Sequence, residues 1–142
     1  MPTRYWLIKS EPSVYAYADL ERERKTAWTG VRNFEARNNL RQMAPGDLAL
    51  FYHSNEGKAV VGVARVVGKP EPDPTAPGQD WASVNVAPHE GFAVPVTLEA
   101  MRTDASLKDL ALLKRSRLSV SVVTEKQFHR IRELGTPGVS RR

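Results

Sequence analysis

The sequence predicts an α+β fold, a small mixed β-barrel of five to six strands with peripheral helices. Three observations carry that expectation. Short apolar or alternating runs recur along the chain, as β-strands require. Helical patterns fall in the connections, but without the regular strand–helix alternation of a parallel sheet. The chain has 142 residues, 41% of them hydrophobic and 26% charged, which suits one domain with a core of its own.

The elements follow in order. Tyr5–Lys9 (YWLIK) is short, apolar and aromatic and reads as a buried strand ended by Pro12. Ser13 can cap a helix over Val14–Arg24, and Phe34–Met43 is helical up to the Pro45-Gly46-Asp47 turn. Leu48–His53 and Ala59–Val67, joined by Ser54-Asn55-Glu56-Gly57, form the clearest hairpin. Lys69–Asp80 is rich in proline and reads as a loop. Trp81–Val86 alternates as a half-buried strand, and Phe92–Val96 is a second strand that Pro95 confines to an edge or bulge. Thr97–Met101 and Leu107–Leu113 read as short helices, and Leu118–Val123 as a strand. Thr124-Glu125-Lys126-Gln127 is a capping box opening a last helix to Leu134, which Gly135 stops. Thr136–Arg142 reads as a loose tail.

Several chemistries are absent from this inventory. Without cysteine there are no disulfides, thiolate zinc sites or thiol nucleophiles. His53, His89 and His129 share no metal-ligand spacing, so neither a metal site nor a cofactor is expected. No glycine-rich phosphate loop and no nucleophile elbow occurs. Ser10 and Glu11 have the right atoms for a nucleophile and a base, but nothing nearby supplies a partner for either. The chain is therefore expected not to be an enzyme. No run approaches the roughly 18 apolar residues of a membrane span, and no leader is read at the N-terminus. A cytoplasmic monomer is expected, with access to the nucleoid in a bacterium or to the nucleus in a eukaryote.

Charge is segmental. Residues 1–21, 22–41, 42–101 and 102–142 carry net charges of −1, +4, −4 and +6, for +5 in all. Two basic segments in one chain suit a polyanionic partner, and equally a solubilising surface. Within the first lies WTGVRNFEARNNLRQM, Trp28–Met43. Arginine offers a donor fork for phosphates and asparagine a donor beside an acceptor for base edges. An aromatic ring gives an unstacked base a face to lie on, a role open to Trp28 and Tyr52. Helical spacing puts Arg37 and Arg41 on one face, with Asn33 and Asn38 beside it. The plain alternatives are a solvated helix face for the arginines, core packing for Trp28 and an N-cap for Asn33.

The linked motifs extend further. Tyr5-Trp6-Leu7 with Lys9-Ser10-Glu11-Pro12, the Trp28–Asn39 segment, Gly46-Asp47 with Phe51-Tyr52-His53-Ser54, Val61-Gly62, Pro72-Asp73 and Arg117-Leu118-Ser119-Val120 occur together and in this order. From Tyr5 to about Leu134 the chain resembles the EVE-domain family of the PUA-like superfamily. The resemblance implies a PUA-like barrel over residues 1–135, followed by a flexible tail over 136–142. It also implies a nucleic-acid partner and a pocket that reads a modified, flipped-out base in DNA or RNA. Trp28 and Tyr52 would be its stacking surfaces. Lys9, Ser10, Glu11 and Asn33 would read the base edge, and His53, Ser54, Arg117 and Ser119 would form the rim. Arg32, Arg37 and Arg41 would hold phosphates. The same pocket binding a free nucleotide or small molecule, as a regulatory module, is the alternative. Phe34 in place of the usual tyrosine, Ser121-Val122-Val123 and a short Lys69–Asp80 connection are the departures from the family pattern.

Overall fold

Alternation along the apolar runs divides the chain's core in two. In β1 (Tyr5–Ser10) successive side chains point to opposite faces, so Trp6 and Ile8 enter one core and Leu7 the other. The computed structural model describes residues 3–138. After β1 come α1 (Tyr17–Glu23), β2 (Thr26–Trp28), α2 (Phe34–Arg41), β3 (Leu48–His53), β4 (Ala59–Val66), β5 (Glu71–Pro72) and β6 (Ala82–Thr97). α3 (Leu98–Arg102), a 3-10 turn at Ala105–Leu107, α4 (Ala111–Lys114), β7 (Val120–Val123) and α5 (Glu125–Gly135) complete it.

The strands lie in the order β2-β6-β4-β3-β1-β7, with β5 paired to β6. Among the described residues only β1 and β3 run parallel; the other pairs are antiparallel. The sheet curls into a half-barrel, and α2 packs against both β6 and β7. Asn39 of α2 donates its amide to the Val120 carbonyl of β7 at 2.7 Å, which fastens the helix to that edge of the sheet. The predicted mixed barrel of strands with peripheral helices is therefore present, its open side covered by α2.

Several elements differ from the sequence reading. The two strands expected at Trp81–Val86 and Phe92–Val96 are one long strand, β6. It keeps its pairing with β4 through register shifts between Val60 and Gly62 and between Val63 and Ala64, so Pro88 and Pro95 sit beside bulges that need no regular donor. β2 was not legible because three residues carry no period. α1 starts three residues later than expected: residues 12–14 form a turn, and Asp19 Oδ2 reaches back to the Ala16 amide at 2.8 Å in place of a Ser13 cap. Gly135 is the last helical residue rather than a left-handed stop. A Cβ there would lie 2.2 Å from the Phe92 ring, so its smallness is a packing requirement. Thr136 is not loose either; its amide and hydroxyl bond the Arg132 carbonyl at 3.0 and 2.7 Å. The rest of the expected tail, 139–142, lies outside the described residues.

One glycine in the sheet serves close approach. A Cβ on Gly62 would sit 2.7 Å from Tyr17 Cζ and 2.9 Å from the Glu90 carbonyl. Tyr17 lies over β4 there, donates its hydroxyl to the Val63 carbonyl at 2.7 Å and packs edge-on against Phe51. Gly62→Ala should therefore lower stability by about 1–3 kcal/mol, read as a lower urea midpoint at unchanged m. A gain of about 0.4–1 kcal/mol, as for an unstrained Gly→Ala change, would show that the ring has room to move.

Candidate functional site

Where the end of β1 meets β2 and the 29–33 connection, a cavity of about 530 Å³ opens, within the roughly 300–1,000 Å³ of small-molecule sites. β1 contributes Lys9 and Ser10, the segment before α1 contributes Val14 and Tyr15, and Ser119 approaches from just before β7. Thr26–Asn33 lines the rest. Trp28 is its floor. It is only 9% exposed and is held edge-on by Phe51 and Tyr15, with ring centroids 5.4 and 6.2 Å away. The aromatic is thus core and pocket at once.

The polar groups of the cavity are held in place. Asn33 caps α2, its Oδ1 accepting from the Ala36 amide at 2.9 Å, so the remaining amide NH₂ is the part offered to a ligand. Lys9 Nζ donates to the Ser116 carbonyl at 2.8 Å, and burial lowers its pKa from the ordinary value. Ser10 Oγ donates to the Tyr15 carbonyl, which ties the pocket wall to β1. Burial, helped by the Glu23 carboxylate bonded at 2.8 Å, pushes the Tyr15 hydroxyl up to about 12, so it remains a neutral phenol. An ammonium, an amide donor and an indole lining one cavity can hold a flat, acceptor-bearing ring.

One wall depends on a residue from across the fold. Asp73, with its side chain wholly buried, receives the Gly30 amide and Arg32 Nη1 on one oxygen, both at 2.9 Å. The Thr75 amide and hydroxyl bond its other oxygen at 2.7 and 2.6 Å. These four donors fill the acceptor sites of a carboxylate. Burial alone would raise the Asp73 pKa; the hydrogen bonds from Thr75, Arg32 and Gly30 override it and hold the carboxyl well below the usual range. The 29–33 wall is thereby fixed to the 69–80 connection.

The expected site residues accordingly divide. Lys9, Ser10, Trp28, Asn33 and Ser119 line the cavity, and so does Arg32. Arg32, expected on phosphate, instead directs its guanidinium to Asp73, Thr75 and the Val31 carbonyl. Tyr52 is on the other side of the sheet. In β3 the pleat sends Phe51 towards Trp28 and Tyr52 into the second core, where it is 4% exposed. Glu11 is exposed in the turn after β1, its carbonyl accepting the Val14 and Tyr15 amides. His53 is set against α1: Nε2 accepts the Tyr17 amide at 3.1 Å, and burial lowers its pKa. Ser54 binds β1 through its amide, which donates to the Ser10 carbonyl at 2.9 Å. Glu11, Tyr52, His53, Ser54 and Arg117 do not line the cavity. Arg37 and Arg41 lie outside it, on the exposed side of α2, and share the carboxylate of Asp80. Tyr15, Thr26 and Thr29 are pocket residues that sequence reasoning missed. The alternating Tyr15-Ala16-Tyr17 was the available signal for the first; no signal marked the threonines.

The basic segments are also less free than their charge suggests. Arg115 pairs with Glu35, Arg130 with Asp104 and Arg132 with Glu90. Among the described residues no cluster of three His, Asp or Glu side chains could hold a metal ion, and no helix is long and apolar enough to cross a membrane.

The family model for the EVE domain matches residues 4–134. The chain belongs to the EVE domain family. Mouse thymocyte nuclear protein 1 is 32% identical over 160 residues, covering 89% of this chain and 71% of its own. Among solved structures, an Agrobacterium tumefaciens protein is 39% identical with a TM-score of 0.91, over 94% of this chain and 93% of the other. The human THYN1 protein, solved in complex with DNA containing 5-methylcytosine, is 29% identical with a TM-score of 0.87, over 94% of this chain and 98% of the other. In this EVE domain the cavity, the α2 face and the Asp73 anchor all fall within the matched span.

The anchor of the EVE domain can be tested by titration. Asp73→Asn removes a charge-assisted acceptor and is expected to cost about 1.5–3 kcal/mol at neutral pH. The folded carboxyl titrates below the ~3.9 of an unfolded aspartate. Its contribution is therefore complete above that value and is lost as pH falls through the folded pKa. The stability difference between wild type and variant, from urea unfolding, should narrow on acidification below about pH 4. A difference that acidification leaves unchanged would remove Asp73 from this role.

Proposed function

We propose that this EVE domain is a non-catalytic nucleic-acid-binding module that takes a modified base, of the 5-methylcytosine class, into the Trp28 cavity. One observation carries the reading: Lys9 and Asn33 offer donors over an aromatic floor, in a fold shared with a human relative that was solved with 5-methylcytosine DNA. The O2 and N3 acceptors of cytosine suit those donors, and the apolar side chains of Val14 and Val31 in the same lining suit a ring methyl. That Glu11 stands outside the cavity, in a turn, fits a binding role better than a catalytic one.

Energetics require a second grip. Extracting a base costs a few kcal/mol, and stacking it on an aromatic returns about 1–3. Pocket and cost nearly cancel, so net affinity must come from the sugar-phosphate backbone or from a strand already unpaired. Arg37 and Arg41 are the cations of α2 placed to supply it, while Arg32 serves the wall.

Two measurements test this. An oligonucleotide carrying one 5-methylcytosine should bind about 5-fold or more tightly than its unmodified twin. Tyr15→Ala, and Trp28→Ala where circular dichroism shows it folded, should erase that preference, whereas Arg37→Ala should weaken both oligonucleotides alike. On single strands, with about two phosphate contacts, log K against log[salt] should fall with a slope near −1.4. A flat salt dependence, or a free 5-methylcytidine nucleoside bound as tightly as the oligonucleotide, would favour a small-molecule module instead.

A further inference from the structure

Outside the cavity, α2 presents an unusual surface. Phe34 is 67% exposed, yet its ring lies flat on Trp81, with centroids 5.3 Å apart and planes 12° from parallel. The Arg37 guanidinium lies 5.0 Å from the Phe34 centroid and 5.9 Å from that of Trp81. Arg32, on the cavity wall, reaches the same indole at 5.5 Å. A continuous arginine–aromatic track thus runs from the cavity along α2. At its far end one carboxylate, Asp80, bridges two guanidiniums: Arg37 Nη1 binds Oδ2 at 3.1 Å, and Arg41 Nη2 binds Oδ1.

Two arginines four residues apart on a helix repel each other mildly, and an anion between them relieves the repulsion. A phosphodiester offers the same two-oxygen bridge as a carboxylate and matches the guanidinium fork equally well. The Asp80 backbone carbonyl also accepts Arg37 Nη1, at 3.2 Å, and the carboxylate is the weakly held part of this residue. Its side chain is 76% exposed, and exposed ion pairs contribute little. The Arg37 side chain is only 14% exposed, its Nε and Nη2 fixed by Asn38 Oδ1 at 3.1 and 3.0 Å. The cation is preorganised and the anion is not.

Building on the base-reading proposal above, we infer that the Arg37–Arg41 pair is a phosphate subsite for the strand flanking the captured base, that Asp80 occupies it as a displaceable internal phosphate mimic, and that Phe34 on Trp81 is the platform for the neighbouring nucleotide. Asp80 then sets a threshold, because a strand must displace a carboxylate before it gains these contacts. The free domain is kept from gripping nucleic acid indiscriminately.

The test is fluorescence anisotropy with a single-stranded DNA 12-mer containing one 5-methylcytosine, beside the free 5-methylcytidine nucleoside. Asp80→Asn should bind the 12-mer about 3–10-fold more tightly than wild type and leave nucleoside affinity unchanged. Glu99→Gln, which removes the same charge from α3, should stay within about 2-fold of wild type for both ligands. Phe34→Ala, at a side chain exposed enough to leave folding intact, should weaken the 12-mer about 5-fold or more and spare the nucleoside. If wild type binds but Asp80→Asn binds no more tightly than Glu99→Gln, the phosphate mimic is overturned. Undiminished 12-mer binding by Phe34→Ala overturns the platform. If wild type and all variants fail to bind the 12-mer, the base-reading proposal fails and the subsite falls with it.

Discussion

The site depends on one buried carboxylate. Asp73 collects four donors from Gly30, Arg32 and Thr75, and these groups belong to segments some 40 residues apart in sequence. Without it, the 29–33 connection would have neither a regular ladder nor a hydrophobic anchor beyond Trp28 and Val31. A charge taken out of water must be fully satisfied or it costs several kcal/mol, so the same saturation that makes Asp73 tolerable also makes the wall stiff. Arg32 is the clearest consequence. A guanidinium that the sequence offers to phosphate is claimed by a nearer and better-desolvated anion.

The pleat of the sheet then determines what can face the cavity. Because the side chains of β1 and β3 alternate between two cores, Trp6, Ile8 and Phe51 support the Trp28 floor, while Leu7, Leu50 and Tyr52 build the opposite core with α5. Phe51 is wholly buried and touches both Trp28 and Tyr17. The cavity floor is therefore continuous with the core, and its shape is as rigid as the packing beneath it. A preorganised floor lowers the ordering cost of binding, whereas in the proposed reading the outer arginines, paired to the exposed carboxylate of Asp80, would carry the adjustable part of the affinity.

Much of this was legible in the sequence, and the failures have definite physical causes. The hairpin of β3 and β4, the Thr124 capping box and the strand character of Tyr5–Lys9 follow from period and turn chemistry, which are local. The role of Asn33 as cap was equally local, and the structure adds that the capping residue also lines the cavity. Tyr52 was misplaced because adjacency to His53 in a motif says nothing about which way a pleated residue points. Arg32, Arg37 and Arg41 looked equivalent as cations in one segment. Only tertiary partners distinguish them: a buried Asp73 for Arg32, and an exposed Asp80 for Arg37 and Arg41. The length of β6 was hidden by Pro88 and Pro95, whose missing donors are accommodated where β6 bulges against β4.

The central claim is that a modified base occupies the cavity over Trp28 while the strand lies along α2. ¹H–¹⁵N spectra during titration with a short 5-methylcytosine oligonucleotide test it most directly, because indole and amide side chains report individually. The account predicts the largest shifts at the Trp28 indole N–H and the Asn33 side-chain NH₂, with smaller ones at the Trp81 indole and little change at Trp6, which is buried beside Asp47. Shifts confined to the far side of the fold, around His129 and Arg130 of α5, would contradict it.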